Sequence, residues 1–206
     1  MEAKKSEIQW PLGQVVKLAA TADLPSVFGA FTVVAFDAID GREHAAIVRG
    51  RVDGQSEVLV RVHSECFTGD VMGSLRCDCR QQLEHAMSVV GASESGIVLY
   101  MRQEGRGIGL ANKIRAYALQ DDGLDTVEAN HALGFDDDER TYDVAAQMLK
   151  ALGVRSIRLM TNNENKVNGL THHGIAVAAR IPIVMESNSH NETYLRTKRE
   201  KSGHIL

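Results

Sequence analysis

The chain holds three cysteines, Cys66, Cys77 and Cys79, and all fall in one polar window, RVHSEC at 61–66 followed by SLRCDC at 74–79. An odd count leaves one thiol unpaired, so a disulfide framework is a poor account of them. Metal ligation is a better one, because zinc favours thiolate, and a catalytic zinc keeps three protein ligands and an open fourth position. Cys77 and Cys79 are two apart, so in an extended segment both sulfurs leave the same face. Cys66 would then arrive from the neighbouring segment. Two other accounts stay open. A closed structural site would take a fourth ligand, with His63 as the candidate. Three buried thiols could also serve merely as small apolar residues, although a run containing Arg76, Asp78 and Arg80 is too polar for a core strand.

Other residues could bind a ligand. Gly105, Gly107 and Gly109 alternate at a helix start, an arrangement that leaves backbone N–H groups open to phosphate but also suits an ordinary tight turn. Arg102, Arg106, Lys113 and Arg115 bracket this loop. In a chain of net charge −4 such a cluster fits an anionic small ligand, or else a solvated helix face. The acidic run 136–140 reads either as the first turn of a helix, favoured by the macrodipole, or as a carboxylate, Asp138, set two residues from Arg140. The segment 161–166, TNNENK, follows an apolar strand, the place where open sheets bind ligands. His172 and His173 read as exposed helix-end residues.

These residues need elements to hold them. Strand patterns cover 29–37, 43–49 and 57–63, and Asp40-Gly41 and Asp53-Gly54 between them suit hairpin turns. The N-terminal half, from 14, therefore reads as an antiparallel meander whose last strand ends at the cysteine window. After Cys79, Leu83, Ala86, Met87 and Val90 repeat at helical spacing and Gly91 stops them. A buried strand follows over 96–102. Next come a helix with Ala111, Ile114, Ala118 and Leu119 on one side and a helix through Val144, Met148, Leu149 and Leu152 ended by Gly153. A strand at 154–160 and a short helix around 166–173 follow. Apolar segments at 174–177 and 181–184 precede a polar helix over 190–201. This alternation predicts βα units on a mixed sheet. The expected fold is α+β, an antiparallel β-rich half leading into βα units, in a single compact domain over 14–206 after a flexible arm at 1–13.

Composition narrows the partners. The chain has 206 residues, 44% hydrophobic and 24% charged, values suited to one globular domain with a real core. Its net charge provides no global basic field for nucleic acid. No run approaches the roughly 18 apolar residues of a membrane span, and the N-terminal residues lack a signal-peptide core. Lone thiols without such a signal point to a reducing cytoplasm.

Taken together, RVHSEC, SLRCDC, QLE at 82–84, RQEGRGIGL at 102–110, NKIRAYALQD at 112–121, TVEAN at 126–130, LGF and DER around 133–140, TNN at 161–163 and TKREKSGH at 197–204 resemble GTP cyclohydrolase II, in order over about 20–206. The resemblance implies conversion of GTP and water to formate, pyrophosphate and a diaminopyrimidinone ribosylamine phosphate, the first step of riboflavin biosynthesis. It implies one Zn2+ on Cys66, Cys77 and Cys79 activating water toward C8 of guanine, with Tyr117 in the ring-opening steps. Substrate contacts are implied at Arg61, Val62, His63, Ser64, Glu65, Gln82, Glu104, Gly105, Arg106, Thr126, Thr161 and Lys166. Of these, Glu65 and Gln82 would read the guanine edge, and Arg106 and Lys166 would face phosphates. Asp138 matches the proton acceptor and Arg140 the group that acts at the α-phosphate, as nucleophile or as stabilising charge. Mg2+ would accompany the leaving pyrophosphate, and the family implies a homodimer. Arg80 departs from the pattern, since many relatives have Gly there. A silent nucleotide- or zinc-binding module, or an enzyme stopping at a formylated intermediate, are the competing readings.

Overall fold

The computed structural model describes residues 10–191. β1 (Val16–Ser26), β2 (Gly29–Ala38) and β3 (Glu43–Arg49) form an antiparallel ribbon. β1 has no separate place among the strands expected above. Val16, Leu18, Ala20, Ala22 and Leu24 alternate with Lys17, Thr21 and Asp23, a strand pattern legible in the sequence, although most of these side chains are exposed.

β4 (Val58–Ser64) does not extend the ribbon, and the expected meander ends at β3. β5 (Gly96–Met101) lies between them, antiparallel to β3 and parallel to β4, in the sheet order β1-β2-β3-β5-β4-β6-β7. The reason is burial. β5 is apolar along nearly its whole length, and a strand apolar on both faces belongs in a sheet's interior. Asp53-Gly54 is accordingly not a hairpin turn; Gly54 N–H donates to the Gly153 carbonyl at 2.9 Å.

Beyond β4 the sheet is parallel, with β6 (Ser156–Met160) and β7 (Ala176–Ile181). Helix α1 (Cys79–Ala92) covers one face, where Ala86, Met87 and Val90 meet Phe31, Leu59, Val98 and Met160. On the other face α4 (Asp143–Ala151) and α5 (Glu164–His172) bury Met148, Leu149 and Leu170 against Val60, Val62, Ile97 and Leu99. α2 (Gly109–Asp121) and α3 (Thr126–Ala132) stand between β5 and α4 in the chain. The expected α+β fold on a mixed sheet is what the chain adopts. From β4 the chain crosses to β5 on one side and later returns to β6 on the other. That makes the C-terminal end of β4 a topological switch point, where such sheets form ligand crevices.

Gly13 is held by the Gln147 amide at 2.7 Å. Residues 1–9 of the expected arm and nearly all of the C-terminal polar helix lie outside the described residues.

Gly91 fits α1 against the β1–β2 turn. A Cβ there would stand 1.9 Å from the Phe28 carbonyl oxygen. Alanine would gain about 1 kcal/mol of helix propensity, but a backbone carbonyl cannot rotate aside, and overpacking costs about 1–3 kcal/mol or more. Gly91→Ala is therefore expected to lower the urea midpoint of unfolding; an unchanged or higher midpoint would refute this packing.

Candidate active site

β4 sets the site by parity. Val58, Val60 and Val62 face the α4–α5 core, whereas Leu59 packs toward α1. Arg61 and His63 therefore emerge on the α1 side. The Arg61 guanidinium donates to the Met160 carbonyl at 2.9 Å and to Gln82 Oε1 at 2.5 Å. Burial, partly offset by Asp78, draws Arg61 down to about 10, so it stays charged at neutral pH. Val62 turns its side chain into the core and offers only its carbonyl, which accepts from Lys166 Nζ at 2.8 Å.

His63 Nε2 lies 3.0 and 3.1 Å from the two oxygens of Asp70. Tyr100 Oη and the Cys66 N–H donate to the same carboxylate at 2.9 and 3.0 Å. One buried acid thus ties β4 and β5 to the start of the cysteine loop. Burial holds His63 below its ordinary value despite the contact with Asp70. His63 is committed there. Among the described residues, the compact group of metal-ligating side chains is Cys66, Cys77 and Cys79 without it.

The ligand atoms of that group all lie within 4.8 Å of one another, and Cys66 Sγ is 3.6 Å from Cys77 Sγ. They do not converge through an extended segment. Cys66 precedes a single π-helical turn, Phe67–Val71, Cys77 follows a turn and Cys79 opens α1. Gly69 lets the sulfurs close up, because a Cβ there would sit 2.8 Å from Cys77 Sγ and 3.1 Å from Cys66 Sγ. Contacts from the other two thiols hold Cys66 far below the usual thiol range, and the contact with Cys66 pushes Cys77 up to about 11. Three soft donors around one point, with no fourth ligand beside them among the described residues, fit a zinc ion with an open position.

α2 brings Lys113, Ala116, Tyr117 and Gln120 to the same cleft. This spacing is one helical stripe, and it is not the side marked by Ala111, Ile114, Ala118 and Leu119. Ile114 is 47% exposed and Leu110 40%. Lys113 Nζ donates to Cys66 Sγ at 3.1 Å and to Glu104 Oε1 at 2.7 Å. Tyr117 Oη lies 3.4 Å from Thr68 Oγ1, which is 3.7 Å from Cys66 Sγ. Burial lifts the Tyr117 phenol up to about 12.

The cleft is open to solvent and has a cavity volume of about 130 Å³. Among the described residues, five cations line it, Arg61, Arg106, Lys113, Arg140 and Lys166, against two carboxylates, Glu65 and Glu104. In an acidic chain this local surplus of cations is suited to an anion. The run 136–140 is loop, not a helix start; α4 begins at Asp143. Arg140 forks onto Asp138 through Nε at 2.6 Å and Nη2 at 2.5 Å. Burial would raise the Asp138 carboxyl, but the Arg140 bonds and charge outweigh it and hold it below the usual range. Gly107 lets this loop dock, since a Cβ there would touch the Glu139 backbone at 3.0 Å. Arg106 has φ 60, a left-handed conformation unusual for a side-chain-bearing residue.

Comparison with known proteins follows the same lines. The family model for GTP cyclohydrolase II matches residues 17–182. GTP cyclohydrolase-2 of Picrophilus torridus is 51% identical over 93% of this chain and 100% of its own length. The chain belongs to the GTP cyclohydrolase II family. GTP cyclohydrolase-2 of Escherichia coli K12 (DH10B) is 54% identical over 93% of this chain and 98% of its own. Riboflavin biosynthesis protein RibBA of Endomicrobium trichonymphae is 56% identical over 89% of this chain, which spans 46% of that longer protein.

Of the positions that match the GTP cyclohydrolase II pattern, the cleft brings together the three cysteines, Tyr117, Arg140, Arg61, His63, Ser64, Glu65, Gln82, Glu104, Gly105, Arg106, Thr126, Thr161 and Lys166. Val62 and Asp138 stand behind this lining. Glu65 is paired with Arg102 at 2.9 Å, and Gln82 is held between Arg61 and Asp78. Of the four cations read around the glycine loop, Arg106 and Lys113 reach the cleft, whereas Arg115 bonds Asn112. Gly107 and Gly109 face a second groove beside Arg42 and Arg102. Arg80, the departure from the family pattern, pairs with Glu84 one helical turn on at 2.9 Å. Sequence reading missed Gln120 and Asn130 as lining residues and α3 as an element. Asp125 and Glu128 form a capping box at its start, a pattern legible without coordinates.

Proposed function

We propose that the chain hydrolyses GTP to 2,5-diamino-6-(5-phospho-ribosylamino)pyrimidin-4(3H)-one, formate and pyrophosphate, opening riboflavin biosynthesis. The observation that carries this is one cleft holding the three-cysteine group, a half-buried tyrosine and an excess of cations. Zinc held by Cys66, Cys77 and Cys79 would supply an activated water for C8 of the guanine. Tyr117, protonated at neutral pH, donates a proton as the ring opens. Glu65 accepts from N1–H and the 2-amino group of the base, with Gln82 beside it. Arg106 and Lys166 meet phosphate oxygens. The Arg140 guanidinium keeps its proton and is a poor nucleophile, so it stabilises charge at the α-phosphate as pyrophosphate leaves. Asp138, ionised and forked onto Arg140, fixes that group's direction. Mg2+ would accompany the triphosphate and offset the charge of the leaving pyrophosphate. The exposed apolar side of α2, with Leu110 and Ile114, supports a homodimer. No helix among the described residues is long and apolar enough to cross a membrane; the cytoplasm is the compartment proposed, on the free thiols.

The test is incubation with GTP and Mg2+, measuring formate, pyrophosphate and pyrimidine absorbance alongside metal content. All three products and one zinc per chain are expected. Pyrimidine without formate would indicate an enzyme that stops at the formylated intermediate, and no turnover would overturn the proposal.

A further inference from the structure

We propose that Lys113 is a positioning residue for the cysteine metal centre. Its ammonium, aimed by Glu104, donates a hydrogen bond to the Cys66 thiolate and balances the charge of the three sulfurs. This rests on the reading of the cysteines as zinc ligands. Three thiolates on a divalent cation leave a net charge of −1, which weakens the ion as a Lewis acid. A cation held against one sulfur offsets that charge without occupying the open position.

The geometry is built for this. Lys113 Nζ is 3.1 Å from Cys66 Sγ and 2.7 Å from Glu104 Oε1, and the two side chains are 11% and 8% exposed. Glu104 is fixed independently, because its carboxylate also accepts the Phe67 N–H at 2.6 Å and the Gly105 N–H at 2.7 Å. The ammonium is thus held between an immobile carboxylate and one sulfur. A buried ion pair is weak evidence of a stabilising role, since desolvation can cancel its attraction. The arrangement corresponds to the carboxylates that orient metal-bound histidines from behind, with ammonium and thiolate in place of the imidazole.

The experiment loads the wild-type chain, Lys113→Met, Lys113→Arg and the double variant K113M/E104Q with Co2+ in place of zinc. A hydrogen bond lowers the energy of the sulfur lone pair, so removing it brings sulfur and metal levels closer. The sulfur-to-cobalt charge-transfer band should move to longer wavelength in K113M and in the double variant, and return toward wild type in K113R. Ligand-field intensity, which reports tetrahedral geometry, should stay the same. Formate release by zinc-loaded K113M should fall by about 10–100-fold, the usual cost of losing a group that supports a ligand. If K113M does not fold, the double variant, which leaves no buried carboxylate unpaired, gives the same comparison. An unmoved charge-transfer band in a variant that binds cobalt overturns the proposal whatever its activity. A wild-type chain that takes up no cobalt or zinc instead overturns the metal reading, and this inference with it.

Discussion

Cys77→Ser is expected to abolish formate release from GTP while leaving the chain folded. Metal catalysis is worth several kcal/mol, and each 1.36 kcal/mol is tenfold in rate, so the loss should reach at least about 10³-fold. The substitution shortens the side chain and exchanges a soft thiolate for an alcohol that stays protonated at neutral pH, in a trio whose sulfurs lie within 4.8 Å. Zinc content should fall with activity. The fold should survive, because Cys77 lies in the loop before α1, outside both packed clusters. Its urea midpoint should correspond to a stability within about 1 kcal/mol of the metal-free parent. Formate release near the wild-type rate in a chain bearing Ser at 77 would remove the metal from the mechanism.

The second large effect is expected at Tyr117→Phe. This change deletes one hydroxyl and leaves the ring under the Arg76 guanidinium, 4.8 Å from its centroid. Loss of a general acid costs about 10²–10⁴-fold, and it should fall on formate release. Pyrophosphate release, for which Arg140 is the residue proposed, should persist to within about tenfold, the size of a 1.4 kcal/mol disturbance. The pH dependence has a definite sign. Burial pushes the phenol up to about 12, so its working, protonated form is present below that value and is lost only as pH rises through it. An alkaline limb near pH 8 or 9 in formate release would then belong to another group and should survive in the Phe variant. Equal loss of formate and pyrophosphate would mean that Tyr117 serves substrate binding, not ring opening.

Much of this molecule could be read before any coordinates. β5 is legible as a buried strand because both of its faces are apolar, and α1 and α4 because Ala86, Met87, Val90, Met148 and Leu149 repeat at 3.6 residues. α2 shows the limit. Its apolar residues do share a side, but that side faces outward, and Lys113, Tyr117 and Gln120 line the cleft. Periodicity identifies which residues share a face, while the direction of that face depends on what stands opposite. At a ligand site the inward side of a helix is polar, so the usual rule reverses.

The amino-acid order by itself determined the chemistry available: three thiols in one window, a tyrosine after a glycine-rich loop, and Arg140 two residues from Asp138. These are local facts, carried by residue type and spacing. The tertiary structure decided the rest. It moved β4 away from β3, turned Arg61 and His63 toward α1, committed His63 to Asp70 rather than to the cysteines, and set Lys113 against Cys66. The Lys113–Cys66 contact joins residues 47 apart and the Arg61–Met160 contact residues 99 apart, and contacts at such separations are settled by which surfaces must be buried together. No short stretch of sequence records that competition.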